Sequence, residues 1–207
     1  MNESNEILIS HLKDDRGLLK TKELEDAFRK IDRADFTLED YRAEIYEDYP
    51  LPIGFGQTIS QPTTVAFMLE LLDLKKGDNV LDVGSGSGWA TALIAEVVKP
   101  RGKVWGVEII SELVEFGRKN LAKYNLPNAK IIQAGEKLGL SEYAPYDKIL
   151  VSAEAEELPK ELLRQLKIRG IMVIPIKNTL YKIEKLAGGK IKETAYPGFV
   201  FVPLIVK

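Results

Sequence analysis

A glycine-rich turn between a predicted strand and a predicted helix carries the residues of this chain that are best suited to chemistry. The run Val80–Gly88 reads VLDVGSGSG, an apolar stretch with one carboxylate, Asp82, followed by three glycines that alternate with serines. Glycine lets the backbone adopt positive φ and approach a ligand closely, and the following helix would point N–H groups above the sheet. Glu108, twenty residues past Gly88, would end the next strand, where an ionised carboxylate can accept the hydroxyls of a ribose. The sequence therefore predicts a site for a nucleoside-containing cofactor.

The spacing of the glycines and the acid before them favour S-adenosylmethionine as this cofactor. Dinucleotide sites follow the pattern G-x-G-x-x-G, whereas this turn reads G-x-G-x-G and comes two residues after Asp82. A carboxylate repels a bound pyrophosphate but attracts a cofactor that carries an ammonium and a sulfonium group. The open alternatives are an NAD site and a glycine-rich turn that binds no ligand. Asp82 could instead cap its own turn, and Glu108 could be an exposed acid at a strand end.

Strand-like and helix-like segments alternate around this turn and would position it. Short apolar runs are followed by helical periodicity, a repetition that is typical of parallel sheets covered by helices on both faces. The sequence therefore predicts a doubly wound α/β fold. The predicted strands are Asn79–Val83, Val104–Ile109, Lys130–Gln133, Lys148–Ser152 and Ile171–Ile176, and the predicted helices are Pro62–Leu72, Trp89–Val98, Ser111–Asn125 and Pro159–Leu166.

The N-terminal part is predicted to be helical and then extended. Ile7, Leu8 and Leu12 share one helical face, and a second helical segment follows after Gly17. Residues 49–54 contain two prolines and must form an extended connector. The apolar face of the second helical segment consists of Leu24, Ala27, Phe28 and Ile31.

The C-terminal part is predicted to form antiparallel strands at one edge of the sheet. Leu180–Leu186 and Ile191–Ala195 flank Gly188 and Gly189, which is a typical hairpin signal. Phe199–Val206 has the pattern of a last strand. We therefore expect the parallel sheet to end in an antiparallel edge.

Length and composition indicate one globular domain. The 207 residues are 45% hydrophobic and 29% charged, which suits a sizeable core. We expect a single domain over residues 1–207, with N-terminal helices and a substrate-side connector in residues 1–60 and a cofactor-binding α/β core in residues 61–207. A net charge of -2 does not favour nucleic acid as a partner, and the absence of cysteine excludes disulfides. With no apolar run that could span a bilayer and no signal-peptide pattern, we expect a cytoplasmic protein.

Several segments resemble those of protein-L-isoaspartate O-methyltransferases. Pro50–Pro62, which reads PLPIGFGQTISQP, is similar to the segment that marks this family, and Val80–Gly88 is similar to its glycine loop. Ala144–Asp147 resembles the entry to the family's fourth strand, and Val173–Ile176 and Phe201–Leu204 resemble its fifth and last strands. The similarity covers nearly the whole chain, and the first of these segments is its most specific part.

The resemblance implies a class I methyltransferase fold, with a mostly parallel seven-stranded sheet, N-terminal helices and an antiparallel C-terminal edge. It implies an S-adenosylmethionine-dependent enzyme that methylates the free carboxylate of L-isoaspartyl residues in damaged proteins, which is a repair reaction. It also implies that Gly135 and Glu136 contact the adenine, although the family carries Asp where this chain has Glu136. The predicted cofactor-binding residues are Gln57, Thr58, Ile59, Asp82, Gly84, Ser85, Gly86, Gly88, Glu108, Ile109, Gly135 and Glu136.

The resemblance identifies Ser60 as the catalytic residue of the acceptor site. An isoaspartyl carboxylate has a pKa near ~4, so it is an anion at neutral pH and needs no general base to attack a sulfonium methyl. Ser60 would orient this carboxylate through its hydroxyl, although it could also be the N-cap of the following helix. His11, the only histidine, lies far from the glycine turn in sequence, which excludes a Ser-His-Asp triad. We expect it to be a surface or helix-packing residue, and no His/Cys set predicts a metal site.

Two departures from the family pattern bear on the acceptor. Thr63 and Thr64 stand where the family carries an aromatic or histidine ring, and they offer less surface to a pocket wall. The loop after the fourth strand, which is Ala-Pro-rich in the family, contains Glu154, Glu156 and Glu157. Acids beside the site would repel an anionic acceptor. Alternatively, they face solvent or form the first turn before the next helix.

Three functional hypotheses follow. The first is an isoaspartyl repair methyltransferase that acts as a monomer on damaged peptides and proteins and binds neither nucleic acid nor membrane. The second is a divergent methyltransferase that acts on another acceptor, which the acidic loop favours. The third is a homologue that binds the cofactor without catalysis.

Overall fold

The computed structural model describes residues 3–206, so residues 1, 2 and 207, at the ends of the predicted domain, lie outside the described residues. The helices are α1 (Glu3–Ser10), α2 (Lys22–Lys30), α3 (Pro62–Leu72), α4 (Trp89–Val98), α5 (Ser111–Leu121) and α6 (Lys160–Gln165). The strands are β1 (Leu51–Gly54), β2 (Gln57–Ile59), β3 (Asn79–Val83), β4 (Lys103–Glu108), β5 (Ala129–Gln133), β6 (Tyr146–Val151), β7 (Leu166–Ile176), β8 (Thr179–Lys185) and β9 (Ile191–Pro197). Single π-helical or 3₁₀ turns occupy His11–Asp15, Arg33–Phe36, Glu39–Tyr41, Ser141–Tyr143 and Ala187–Gly189.

The central sheet has seven strands in the order β5-β4-β3-β6-β7-β8-β9. The first five strands in this order are parallel, and β8 and β9 run antiparallel at one edge. The strand order reverses between β3 and β6. In open α/β sheets, ligands bind outside the carboxyl ends of the strands at such a point. The predicted doubly wound fold with an antiparallel C-terminal edge is confirmed.

Each face of the sheet is covered by its own hydrophobic core. Helices α3, α4 and α5 pack on one face, and α6 with the loop before β6 covers the other. In β3, Val80 belongs to the first core and Leu81 to the second, and both are fully buried. Successive side chains of a strand point to opposite faces, so a strand covered on both sides needs an uninterrupted apolar run. This requirement explains Val80, Leu81 and Val83 of β3, whereas the buried Asp82 is an exception within the run.

The N-terminal helices form an outer layer over α4. The second predicted face is buried through Leu24, Phe28 and their neighbours, as expected. On α1, Leu8 is buried, but Ile7 is 66% exposed, so the prediction that Ile7 shares this face is wrong. At 100° per residue, the buried stripe follows Leu8 and Ile9, which leaves Ile7 on the opposite side of the helix.

The predicted extended connector forms a small hairpin, β1–β2, apart from the central sheet. Its tip consists of Gly54, Phe55 and Gly56, all with positive φ. Two of these three residues are glycines, which adopt such values without a steric penalty. The hairpin carries the segment from residue 57 onward back to the edge of the sheet.

The last residues differ from their prediction. Strands β8 and β9 pair across Gly188 and Gly189, as predicted. Residues 199–206 form no strand, so the prediction of a last strand there is wrong. Gly198, with φ of 95°, turns the chain away from β9, and Pro203 has no N–H to donate to a ladder. The segment instead crosses the carboxyl ends of the strands, where it meets Glu154 through an isolated bridge.

Candidate active site

A cleft opens above the carboxyl ends of β3, β4 and β6, where the strand order reverses. The predicted residues that line it are Gln57, Thr58, Gly84, Gly86, Glu108, Ile109, Gly135 and Glu136. The predicted residues that lie outside its lining are Ile59, Ser60, Asp82, Ser85 and Gly88.

Backbone hydrogen bonds to the neighbouring strand shape the glycine turn, residues 84–88. The N–H groups of Gly84 and Ser85 both donate to the carbonyl of Val107 in β4. Gly86 has a φ of 49°, and a Cβ there would lie 3.3 Å from Ile53 Cδ1 of the β1–β2 hairpin. Glycine is therefore needed at this position for its conformation and for the close approach of the hairpin.

Glu108 ends β4 and faces the glycine turn. Its Oε2 accepts the Gly86 N–H at 3.0 Å, and its Oε1 accepts the N–H groups of Ile109 and Ile110 at 2.7 and 3.0 Å. The residue is 6% exposed, which contradicts the alternative of an exposed acid. A carboxylate offers about four acceptor positions, of which these bonds use three. One position is left for a hydroxyl donor in the cleft.

Asp82 lies beneath the turn and is fully buried in β3. Its Oδ2 accepts the Thr91 hydroxyl at 2.6 Å, and its Oδ1 has no partner within residues 3–206. Burial raises the pKa of Asp82 to about 6, although the Thr91 hydrogen bond lowers it, and the charge of Glu108 adds to the increase. The alternative that Asp82 caps its own turn is contradicted, because neither of its oxygens accepts an N–H group of residues 84–88.

Three more predicted residues lie behind the wall of the cleft. Ser85 is 6% exposed, and its hydroxyl has no partner in the described part of the chain. Gly88 is the N-cap of α4, and a Cβ there would lie 3.0 Å from Ile131 Cδ1. Ile59 is 4% exposed and belongs to the core under α4. These residues support the lining of the cleft without being part of it.

Ser60 directly follows β2, two residues after Thr58, which lines the cleft. Alternate residues of an extended chain share a face, so Ser60 is expected on the same side as Thr58. The N-cap of α3 is Gln61, and Asp48 accepts the Thr63 N–H at 2.9 Å. Ser60 is therefore not the cap of this helix. Its hydroxyl makes no hydrogen bond to any residue between 3 and 206, and it is left available to a ligand.

Neither departure from the family pattern brings side chains into the lining of the cleft. The Thr63 hydroxyl donates to a carboxylate of the N-terminal layer at 2.6 Å, and Thr64 is buried. The Glu154 carboxylate accepts a backbone N–H at 2.9 Å, and Glu156 and Glu157 are exposed. The structure therefore favours the alternative in which these acids do not face the acceptor.

Arg33, which sequence reasoning missed, is a fully buried cation beside the start of α4. Its guanidinium lies 5.6 Å from the centroid of the Trp89 ring. Burial lowers the pKa of Arg33 to about 10, which still leaves it charged at neutral pH. Its immediate neighbours in the sequence, Asp32 and Ala34, gave no signal that this arginine would be buried. The guanidinium donates to four backbone carbonyls, those of Ile45, Glu47, Tyr49 and Ser60.

The C-terminal segment, residues 198–206, was also missed as part of the site. Val202–Val206 line the cleft opposite the glycine turn and the β1–β2 hairpin. A proline inside an apparent strand argues against a central strand, and Pro203 was the signal that could have excluded one. The cleft lining therefore combines residues of the β1–β2 hairpin with residues close to the C-terminus.

Three further findings concern the rest of the described chain. The ring of His11 bonds to the side chains of Asp15 and Arg16, outside the cleft lining, in agreement with its expected surface position. Within residues 3–206, no group of three or more His, Cys, Asp or Glu side chains is arranged to hold a metal ion. None of the helices in that range combines the length and the apolar character needed to cross a membrane.

The lining of the cleft fits a cationic nucleoside cofactor. Glu108 provides an acceptor for a ribose hydroxyl, and Ile109 and Leu138 provide apolar surface for an aromatic ring. Asp82 and Glu108 place two buried carboxyl groups near the glycine turn, where Gly84 and Gly86 present no side chain to the ligand. Such an acidic environment is suited to a ligand with positive charge.

Comparisons with known proteins extend over the whole chain. The family model described as Protein-L-isoaspartate(D-aspartate) O-methyltransferase matches residues 2–207. The chain is 45% identical over 194 residues to the protein-L-isoaspartate O-methyltransferase of Ignicoccus hospitalis, covering 91% of this chain and 92% of that protein. It is 44% identical over 209 residues to protein-L-isoaspartate O-methyltransferase 1 of Archaeoglobus fulgidus, covering 100% and 95%.

A solved structure supports the same relationship. It is from Plasmodium falciparum and is described as a protein-L-isoaspartate O-methyltransferase in complex with S-adenosyl-L-homocysteine. Its TM-score is 0.86 at 30% identity, and the match covers 99% of both chains. Since the family model and relatives above 40% identity extend over nearly all of the sequence, this chain belongs to the protein-L-isoaspartate O-methyltransferase family.

Proposed function

We propose that this protein transfers the methyl group of S-adenosylmethionine to the free carboxylate of L-isoaspartyl residues in damaged peptides and proteins. The observation that carries the proposal is the cleft in which Glu108 faces the glycine turn, in a chain of this family. The relatives from Ignicoccus and Archaeoglobus are named for this reaction. A net charge of -2 supports the expectation that nucleic acid is not a partner. That the protein acts as a monomer in the cytoplasm stays a prediction.

The cofactor would be held by residues from three strand ends. When bound, S-adenosylmethionine supplies an electrophilic methyl group on a positively charged sulfur. Glu108 would accept a ribose hydroxyl at its remaining acceptor position, and Gly135 and Glu136 would hold the adenine. Gly84 and Gly86 would allow close approach of the methionine part, which Gln57 and Thr58 would line. The residues behind the wall keep this geometry: Ile59, Asp82, Ser85 and Gly88.

The acceptor side requires no proton transfer to the protein. An isoaspartyl carboxylate is already ionised at neutral pH, so the protein has to orient it and exclude water. Ser60, with a hydroxyl that no residue between 3 and 206 engages, donates a hydrogen bond to this carboxylate, and Thr58 assists from the same side. Arg33 holds the Ser60 carbonyl at 3.2 Å. Positioning of this kind can supply roughly 7–11 kcal/mol of the barrier reduction.

The experiment is a methyl-transfer assay with two peptides that differ only in an isoaspartyl or a normal aspartyl residue. We expect a base-labile methyl ester on the isoaspartyl peptide alone, measured as methanol released from labelled S-adenosylmethionine. Ser60→Ala should lower kcat/KM for that peptide by roughly tenfold while cofactor affinity stays unchanged, because one hydrogen bond to a charged group is lost.

The control is Ser111→Ala, a serine at the start of α5 outside the cleft lining. Cofactor binding without methylation of either peptide contradicts the proposal and supports a non-catalytic homologue. Methylation of a different acceptor in a wider panel supports the divergent methyltransferase.

A further inference from the structure

The C-terminal segment closes the cleft although it belongs to no helix or strand. Phe199 stacks on Phe67 of α3, with ring centroids 5.5 Å apart, and Leu204 packs against the core on the α6 face. Phe201 packs against the core on the α3 face, and the backbone hydrogen bonds from the segment to the rest of residues 3–206 converge on two residues, Asn178 and Glu154. These two residues therefore set the backbone position of the wall.

Glu154 holds the middle of the segment through its backbone. Its N–H donates to the Val202 carbonyl at 2.8 Å, and its carbonyl accepts the Leu204 N–H at 2.8 Å. The pair of bonds fixes the two residues on either side of Pro203, and all three line the cleft. The position of Glu154 therefore sets the position of the wall.

The Glu154 side chain reaches the second attachment point. Its Oε2 accepts the Asn178 N–H at 2.9 Å, and the Asn178 carbonyl accepts the N–H groups of Gly198 and Phe199 at 3.0 and 3.1 Å. Lys177 and Asn178, which connect β7 to β8, have φ of 48° and 59°. This left-handed turn directs the Asn178 N–H to Glu154. One carboxylate thus joins the beginning of the C-terminal segment to its middle.

We propose that Glu154 is a positioning residue for the cofactor cleft, which holds the C-terminal segment closed and slows release of the bound cofactor. This inference rests on the proposed function. Glu154 acts through the segment, because its own side chain is outside the cleft lining. Glu156 offers a matched control: it lies two residues further, is exposed, and makes no hydrogen bond or ion pair in the described part of the chain.

The experiment measures the dissociation rate of S-adenosylhomocysteine by stopped-flow fluorescence for the full chain and three variants. Glu154→Ala should raise this rate by roughly threefold to tenfold, because a hydrogen bond to a charged group is lost, with little change in the association rate. Glu154→Gln, which keeps an acceptor oxygen, should give a smaller increase, and Glu156→Ala none.

Hydrogen exchange of the unliganded proteins gives a second measurement. In Glu154→Ala we expect the Leu204 and Phe199 amides to exchange faster, whereas amides in β3 and β4 keep their protection and the melting temperature changes little. The inference would be overturned if Glu154→Ala released S-adenosylhomocysteine at the wild-type rate and its amides exchanged at the wild-type rate. If Glu154→Ala unfolds globally, Glu154→Gln decides by the same two measurements. If the wild type binds no S-adenosylhomocysteine, the proposed function fails, and hydrogen exchange alone still decides whether Glu154 holds the segment.

Discussion

At the scale of single residues, the two buried carboxylates near the glycine turn have different hydrogen-bond partners. Glu108 accepts three backbone N–H groups, whereas Asp82 accepts one hydroxyl and has one oxygen without a partner among residues 3–206. A buried carboxylate with few donors is destabilised in its charged form. Burial therefore raises the pKa of Asp82 to about 6.

We predict a pH dependence of stability that belongs to Asp82. The folded-state pKa of about 6 lies above the ordinary value of 3.8 for this side chain, so the folded protein binds this proton more tightly than the unfolded chain. The stabilisation is complete below about pH 4 and is lost as the pH rises through 6, a change of about 3 kcal/mol. Asp82→Asn removes this dependence. Urea unfolding at pH 4 and pH 7 should therefore show the variant gaining about 3 kcal/mol relative to the wild type at pH 7.

The comparison between the two proteins is needed because other groups act in the opposite direction. A hydrogen bond from Lys75 lowers the pKa of Asp73, which is a contribution lost at low pH. This contribution is the same in both proteins and cancels in the difference. If the difference in unfolding free energy between the variant and the wild type were the same at pH 4 and pH 7, the assignment to Asp82 would be contradicted.

At the scale of elements, the glycine turn depends on a glycine in helix α5. A Cβ at Gly117 of α5 would lie 2.7 Å from Ile131 Cδ1 and 2.9 Å from the Gly86 carbonyl. Real Cβ contacts are not this short, so α5 can approach the turn only without a side chain at this position. The missing side chain at Gly117 therefore lets α5 pack against Gly86 and keep it in the cleft lining.

We predict that Gly117→Ala destabilises the protein although alanine favours a helix. In an exposed helix, this change would add about 1 kcal/mol of stability. Here the added methyl group has to displace Ile131 or the Gly86 backbone, at a cost of roughly 1–3 kcal/mol. Thermal unfolding and calorimetric titration with S-adenosylhomocysteine should show both lower stability and weaker binding. Lys119→Ala, an exposed change in the same helix, is the control, and a stabilised Gly117→Ala protein would contradict the prediction.

At the scale of the whole molecule, the N-terminal layer and the α/β core are joined through Arg33. The guanidinium satisfies carbonyls of residues 45–60 and lies over Trp89, the first residue of α4. The chain that ends in Ser60 is therefore held to the helix that follows the glycine turn. The proposed acceptor side, at Ser60, and the cofactor side therefore meet at this buried cation.

We predict that Arg33→Lys affects the proposed acceptor side more strongly than the cofactor side. A lysine keeps the charge but has three donors and no planar fork, so it cannot satisfy four carbonyls at these positions. Leaving a buried carbonyl unpaired costs roughly 1–3 kcal/mol. The variant should therefore lose stability by this amount in urea unfolding. Its kcat/KM for the isoaspartyl peptide should fall more than its affinity for S-adenosylhomocysteine, since the cofactor-binding strand ends do not contact Arg33.

The matched control for this prediction is Arg42→Lys. Arg42 is exposed, and its side chain makes no hydrogen bond or ion pair within residues 3–206. It should behave like the wild type in both assays. An Arg33→Lys protein that loses cofactor affinity and peptide turnover to the same extent would argue against a separate link to the acceptor side.

Local patterns predicted most of the fold because short-range physics determines them. Strand β3 and helix α4 begin and end as predicted, since an apolar run, three glycines and a helical apolar stripe follow one another directly. Helix α5 ends at Leu121, four residues before its predicted end. The predictions for Ile7 and for residues 199–206 were wrong because the type of an apolar residue does not reveal what that residue packs against.

The sequence by itself determined the parallel sheet, the turn at residues 84–88 and the acid that faces it, because each depends on residues close together in the chain. Only the tertiary structure decided that Arg33 supports Ser60, that the last residues close the cleft and that Glu154 holds them there. These contacts join segments more than twenty residues apart, as in the Arg33–Ser60 and Glu154–Asn178 bonds. Such bonds form between a side chain and a backbone group, and any residue type can supply the backbone partner. Local sequence patterns therefore do not predict these bonds.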